Sequence, residues 1–249
     1  MGIIRFLLAA AVVLGHAPGW GGVGLPPIIN PLPPYFAVQA FFVISGFYME
    51  LLRKRYQPAP IWIFYSNRYS RLIASYWIVC AATALLMIAM PKVPFPAANF
   101  RFDSTGEAAL AWFFNIAMVG QDFASFVQLS NALLIPQGWS LALELWFYLL
   151  VPLLWRTSDN TLWSILGASL VMRLIIILSP LPFVPWQQRF FPAELMFFMI
   201  GMLSFRHADD IRRLISGGRG CMLAICVLIV FVGWVIPSTT WSETQPKAM

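Results

Sequence analysis

Seven apolar stretches of sixteen to nineteen residues succeed one another along this chain, at 3–20, 35–52, 72–90, 139–155, 161–179, 190–205 and 220–237. About 20 apolar residues is the length of helix that crosses the hydrocarbon of a bilayer. Every backbone amide there must be satisfied within its own helix or a closed sheet, so runs of this kind point to membrane-spanning helices. The composition agrees: 10% of residues are charged, against about 25% in soluble domains. The 249 residues leave room for about seven to nine spans and short loops, and no sizeable soluble domain beside them. The expected fold is an all-α polytopic transmembrane helix bundle over residues 1–237, with an abruptly polar tail at 238–249. The first stretch has the apolar character of a secretory leader. More apolar runs follow it, with no small-x-small cleavage site and mature polar domain, so it reads as the first span.

Basic residues set the expected orientation. Residues 53–71 carry Arg53, Lys54, Arg55, Arg68 and Arg71, and residues 206–219 carry Arg206, Arg212, Arg213 and Arg219. Both read as cytoplasmic loops, which also places the N-terminus in the cytoplasm. They share a side only if 107–136 crosses the membrane twice or not at all, and two short re-entrant segments are the favoured reading. Trp139 then begins its helix at the outer face. The net charge of +6 is accounted for by these loops, and no basic run lies on a soluble module, so nucleic acid is not an expected partner. Cys80, Cys221 and Cys226 lie in apolar runs without metal-ligand spacing, so no metal site is expected.

Against this apolar background, ionisable residues inside spans carry most of the functional signal, because they are costly there. Arg5 and His16 stand eleven positions apart on the first helix, about 16 Å along its axis and nearly on one face. A snorkelling Arg and an interfacial His before Pro18 form the simpler alternative. Glu144 lies just inside the helix that starts at Trp139 and shares a face with Ser140. With Trp139 outside, Glu144 falls at a depth similar to that of His16. A carboxylate beside an imidazole orients it and holds it as a base. An interhelical hydrogen bond from a neutral Glu144 is the alternative. Arg68 and Arg71, three apart, suit a multiply phosphorylated anion or simple anchoring to anionic lipid. Ser45 and Gly46 are small residues that allow close helix approach. Glu50, Arg173, Arg189 and Glu194 are weaker candidates, with Arg173 and Glu194 a conceivable pair, and His207 reads as a solvated loop residue. No phosphate-binding loop, haem signature or nucleophile elbow is present.

Five motifs in order resemble the acyltransferase-3 family of membrane-bound O-acyltransferases. They are Arg5-x10-His16; Phe41-Phe42-Val43-Ile44-Ser45-Gly46-Phe47; Phe64-Tyr65-Ser66-Asn67-Arg68-Tyr69-Ser70-Arg71-Leu72; Gly138-Trp139-Ser140-Leu141-x-x-Glu144-x-x-Phe147-Tyr148 with Pro152; and Phe197-Phe198-x-x-Gly201-Met202-Leu203-x-Phe205. The resemblance covers about residues 1–206. One departure is Ala74, where the family usually has Pro after Arg-Leu-x. Another is length, since family chains usually have about ten spans and this one reads either as a short member or as C-terminally shortened. The resemblance implies transfer of an acyl group, expected to be acetyl, from acyl-CoA inside to a hydroxyl of a carbohydrate or glycolipid acceptor outside. It implies a multi-pass protein of the bacterial inner membrane in polysaccharide biosynthesis. Acyl-CoA is a co-substrate, and no bound cofactor is expected. In the family the residues matching Arg5, His16, Arg68 and Arg71 are essential. The expected roles are His16 and Glu144 as the catalytic pair, with Arg5, Arg68, Arg71, Ser45, Trp139 and Ser140 on the substrate and acyl-CoA side. A glycolipid or acyl flippase, and an inactive truncated relative, are the alternatives.

Overall fold

The computed structural model describes residues 2–16, 34–56, 59–90 and 102–216. Eight α-helices and no strand occur among the described residues: α1 (Gly2–His16), α2 (Pro34–Tyr56), α3 (Ile61–Ala89), α4 (Thr105–Ala117), α5 (Trp139–Leu154), α6 (Asp159–Leu178), α7 (Phe191–Arg206) and α8 (Ala208–Ser216). The all-α expectation holds. Four stretches, Pro34–Tyr56, Ile61–Ala89, Pro136–Leu154 and Asp159–Leu178, are long and apolar enough to cross a membrane. The first apolar stretch forms a 15-residue helix and the sixth a 16-residue one, each short of about 20 residues. The expected count of seven to nine is thus not reached among the described residues. The stretch 220–237 and the polar tail lie outside them.

The chain divides into two units, Met1–Ala37 with Ser204–Met249, and Val38–Leu203. In the first, α1 carries an apolar sequence with Arg5 half-buried, and His16 is its last residue. The short helix α8 places Asp209 and Asp210 in its first turn and Arg213 in its last, the order that the helix dipole favours. An Arg213–Asp210 bridge of 3.0 Å spans one turn.

The second unit is built around aromatic residues from α2, α3, α5 and α7. Phe147 and Phe198 stack at 4.3 Å, and Phe42 stacks on Phe198 at 4.6 Å, geometry that adds to plain area burial. The close approach of α2 and α7 depends on two glycines. A Cβ at Gly46 would stand 2.0 Å from the Phe198 carbonyl oxygen, and one at Gly201 would stand 2.0 Å from that of Val43. Two motifs separated by some 150 residues of sequence therefore meet backbone to backbone, the close-contact role expected of Gly46. Arg173 of α6 donates to Glu194 of α7 at 2.7 Å. Arg173 lies 5.1 Å over the Phe197 ring, and Glu194 is fully buried. Ser169 fastens the start of α7, donating to the Pro192 carbonyl at 2.6 Å and accepting from the Met196 amide at 2.9 Å. The apolar exterior completes an inside-out pattern: Ile78, Leu85, Ile88, Ile175 and Leu178 are all exposed while the ion pair is buried, which suits a lipid surround.

Two segments differ from the sequence reading. Residues 53–56 and 61–71 are helical, not loop. Arg53, Lys54 and Arg55 form the last turn of α2, and Arg68 and Arg71 lie in the third turn of α3. Helix α3 begins eleven residues before its apolar run because its first turns pack aromatically: Phe64 is buried against Tyr56 and Trp155, with ring centroids at 5.3 and 5.1 Å. Likewise Arg206 closes α7, and Arg212 and Arg213 belong to α8.

The stretch 107–136 holds one helix of 13 residues, α4, which at about 20 Å is too short to cross the hydrocarbon. Single 3-10 turns at Phe123–Ser125, Ser130–Ala132 and Pro136–Gly138 follow it. Side-chain amides hold this irregular chain. Asn115 donates to the carbonyls of Ala111 and Ala132 at 2.9 and 2.8 Å and accepts from the Leu134 amide at 2.7 Å. Gln121, fully buried, donates to the Tyr76 hydroxyl at 2.5 Å and the Phe114 carbonyl at 2.9 Å. Non-helical backbone is tolerated at membrane depth only where protein satisfies it in this way.

Candidate active site

Glu144 enters α5 one and a half turns after Trp139, and its carboxylate turns toward α2. One oxygen, Oε1, accepts from the Ser45 hydroxyl at 2.7 Å and from the Tyr148 hydroxyl. Tyr148 follows Glu144 by four residues, so the helical repeat stacks its ring over the acid. Ser45 precedes Gly46, and the glycine contact with α7 sets where α2 runs and hence where Ser45 points. Among the described residues the second oxygen, Oε2, accepts no hydrogen bond. The carboxylate is thus aimed by two donors on one oxygen and keeps the other for a further partner. Ser45, expected on the substrate side, donates its hydroxyl to Glu144.

Arg68 lies on the other side of Tyr148. A cavity of about 240 Å³ is lined by Tyr65, Arg68, Tyr69, Ala142, Trp146 and Tyr148, among others. Arg68 is only 9% exposed. One of its Nη atoms donates to the Tyr56 hydroxyl at 3.3 Å, and its guanidinium lies 5.4 Å over the Tyr56 ring and 5.9 Å over that of Phe64. Its Nε is buried and carries no hydrogen bond among the described residues, and no carboxylate stands within ion-pair distance of it there. Buried guanidinium groups are ordinarily paired, so this one is open to an anion. Arg71 is exposed on the outer surface of α3. The two arginines grouped by sequence therefore stand apart in environment, one in a cavity wall and one on the surface.

Trp139 is buried and lies 5.7 Å beneath the Arg189 guanidinium. Ser140 is half-buried and donates to the Gln137 carbonyl at 3.1 Å. His16 ends α1, and its side chain lies outside the described residues. The His16–Glu144 pairing therefore has no geometry here. Among the described residues no group of three His, Cys, Asp or Glu side chains could hold a metal.

Sequence reasoning gave no role to Tyr148, although its place four residues after Glu144 was a readable signal. It named Arg189 as a weaker candidate but passed over the polar residues beside it, Asp122, Ser125 and Ser130, at the end of the unit where α5 begins. Asp122 is 2% exposed and accepts from the Trp146 indole at 3.4 Å. Burial pushes its carboxyl up to about 6, against partial relief from nearby N–H donors and Arg189. Burial likewise lowers the Arg189 guanidinium from its usual value, and Asp122 offsets part of that. Arg189 donates to the hydroxyls of Ser125 and Ser130, the latter at 3.5 Å, and these two serines lie 2.8 Å apart. A lone acid in an apolar run was the available signal for Asp122. The serines had none.

Neither the curated proteins nor the solved structures compared with this chain yield a match. The family model described as an acyltransferase domain, Acyl_transf_3, does match, over residues 1–247. That span is essentially the whole chain and extends well past residue 206, where the motif resemblance stopped. Four of the five motifs that resembled this family, all but Arg5-x10-His16, supply the Gly46–Gly201 crossing, the Ser45–Glu144–Tyr148 triad and residues of the Arg68 cavity. The chain belongs to the acyltransferase-3 family of membrane-embedded acyltransferases.

Proposed function

We propose that this protein transfers an acyl group, acetyl in the simplest case, from acyl-CoA to a hydroxyl of a carbohydrate or glycolipid acceptor. It does so as a multi-pass protein of the bacterial inner membrane with its N-terminus in the cytoplasm. The observation that carries the reading is the carboxylate of Glu144, fixed by Ser45 and Tyr148 through one oxygen while the other stays available, beside a cavity walled by Tyr148 and the unpaired Arg68. Arg68, with Arg71 toward the cytoplasmic surface and Arg5, attracts the phosphates of CoA. His16 removes the proton from the acceptor hydroxyl, which is too weak a nucleophile at neutral pH without a base. The oxygen attacks the thioester carbonyl, the C–O bond forms and the C–S bond breaks. The imidazolium then returns its proton to the departing CoA sulfur. Glu144 balances the imidazolium charge, a pairing supported by the similar depths of positions 16 and 144 counted along their helices. No acyl-enzyme is required.

The test uses full-length protein reconstituted in proteoliposomes with radiolabelled acetyl-CoA and a panel of glycans and lipid-linked sugars, with mass spectrometry of the products. An acetyl ester on an acceptor supports the reading. Movement of label or glycolipid across the bilayer without any new ester overturns it in favour of a flippase.

A further inference from the structure

The second unit holds another guanidinium without a counter-carboxylate, at the end where α5 begins. Among the described residues no carboxylate lies within 4 Å of Arg189, and its neighbour Asp122 is engaged by the Trp146 indole instead. Arg189 is half-buried, and it differs from the buried Arg173, which has its own glutamate at 2.7 Å. Arg189 is nonetheless held firmly. One Nη donates to the hydroxyls of both Ser125 and Ser130, and the face of the guanidinium rests 5.7 Å from the Trp139 ring centroid. Its Nε is buried without a partner, and no described residue accepts from its other Nη. Two serines and a tryptophan thus orient a fork of donors whose remaining N–H groups are unspent. Holding a charge partly out of water without a counter-charge is costly, and an oxyanion on a planar two-donor edge is the ligand that offsets this best.

We propose that Arg189 is the binding residue for an oxyanion of the acceptor, a phosphate or a carboxylate, with Ser125, Ser130 and Trp139 as its positioning residues. The assignment of that anion to the acceptor rests on the function proposed above, in which the start of α5 faces away from the acyl-CoA side. It adds a substrate class: acceptors that carry a negative charge near the acylated hydroxyl, either a sugar phosphate or a uronic acid.

Calorimetric titration of the full-length protein in nanodiscs tests this directly, with CoA in excess to occupy nucleotide-phosphate sites. The probes are inorganic phosphate, glucuronate and, as the neutral control, glucose. Binding of phosphate or of glucuronate is expected, whichever is preferred identifying the anion. Arg189→Gln should weaken it at least tenfold while the surface change Arg156→Gln leaves it unaltered. Should Arg189→Gln not fold, Ser125→Ala/Ser130→Ala keeps the charge and removes its two supports, and should weaken binding about threefold to tenfold. Wild-type protein that binds neither anion, or variants that bind as wild type does, overturns the proposal. In the acyl-transfer assay Arg189→Gln should raise the KM for a charged acceptor and leave kcat near wild type. Anion binding lost in Arg189→Gln in a protein that transfers no acyl group would leave the site standing and sink the proposed function. Acyl transfer with no anion binding would do the reverse.

Discussion

Replacing Gly201 by alanine adds one carbon atom, and the structure says where it goes. That Cβ would stand 2.0 Å from the Val43 carbonyl oxygen and 2.7 Å from the Phe47 amide nitrogen. Ordinary contact begins near 3.4 Å, so α2 and α7 must part locally by about 1.4 Å. The obstacle is helix backbone, which has no rotamer to escape into. The cost should therefore reach the upper part of the range for overpacking, about 3 kcal/mol, or roughly 6–12 °C in Tm. Gly46→Ala meets the Phe198 carbonyl at the same 2.0 Å and should behave alike. Because both act on one crossing, the double variant should cost clearly less than the two singles together. Gly167→Ala in α6 is the control: its Cβ meets nothing within 4 Å, and alanine favours a helix over glycine by about 0.5–1 kcal/mol, so it should melt at or above wild type. Thermal unfolding of the four variants in one detergent, followed by tryptophan fluorescence, gives the comparison. Gly201→Ala melting with wild type, or additive singles, would refute the crossing as described. Parting the helices also draws Ser45 from Glu144, so acyl transfer should fall in the two crossing variants and not in the control.

Three further perturbations follow from buried charge. The folded-state pKa of Asp122, about 6, lies above that of an unfolded aspartate. The native chain therefore holds the extra proton between about pH 4 and 6, and its stability falls as pH rises through that window. Asp122→Asn keeps an oxygen for the Trp146 indole and removes the charge. It should raise Tm at pH 8, by an amount corresponding to about 1–3 kcal/mol, and have little effect at pH 4.5; equal melting at both pH values argues against a strained carboxylate. Glu194→Gln or Arg173→Leu alone strands a buried charge and should cost about 3–5 kcal/mol, whereas Arg173→Met/Glu194→Leu should recover most of it, read by the same melts. Glu144→Gln keeps a carbonyl oxygen for Ser45 and Tyr148 while losing the charge, so Tm should move little while acyl transfer drops about 10- to 100-fold; unchanged turnover removes Glu144 from the chemistry.

Much of the helical architecture was legible because hydropathy reports burial in lipid directly. The runs at 35–52, 139–155 and 161–179 lie within or nearly coincide with α2, α5 and α6. Gly46 was readable as a close-contact residue, and Arg173 with Glu194 as a pair, since a charge in a span must find another. What hydropathy cannot see is a helix that continues into polar sequence. Arg53 and Arg68 looked like loop residues because basic side chains mark the end of an apolar run, not the end of helical hydrogen bonding. The irregular stretch after α4 was illegible for a different reason. Its path depends on Asn115 and Gln121 reaching carbonyls and a hydroxyl 4 to 45 residues away in sequence, and no local pattern encodes such a choice. Arg189 and Ser125, 64 residues apart, meet for the same kind of reason. Within the candidate site, Glu144 was identifiable by the cost of placing charge in a span, and Arg68 by its spacing from Arg71. Tyr148 was missed because a tyrosine in an aromatic-rich helix looks like packing until its hydroxyl is seen on the acid.

In the proposed reaction His16 is the base of an acyl transfer from acyl-CoA to a hydroxyl. The most direct measurement is single-turnover transfer of radiolabelled acetyl from acetyl-CoA to acceptor in proteoliposomes, with wild type and His16→Ala matched for folded protein. Wild type should transfer the label, and His16→Ala should lose at least about 100-fold with acetyl-CoA binding retained. Turnover of His16→Ala at the wild-type rate would contradict it.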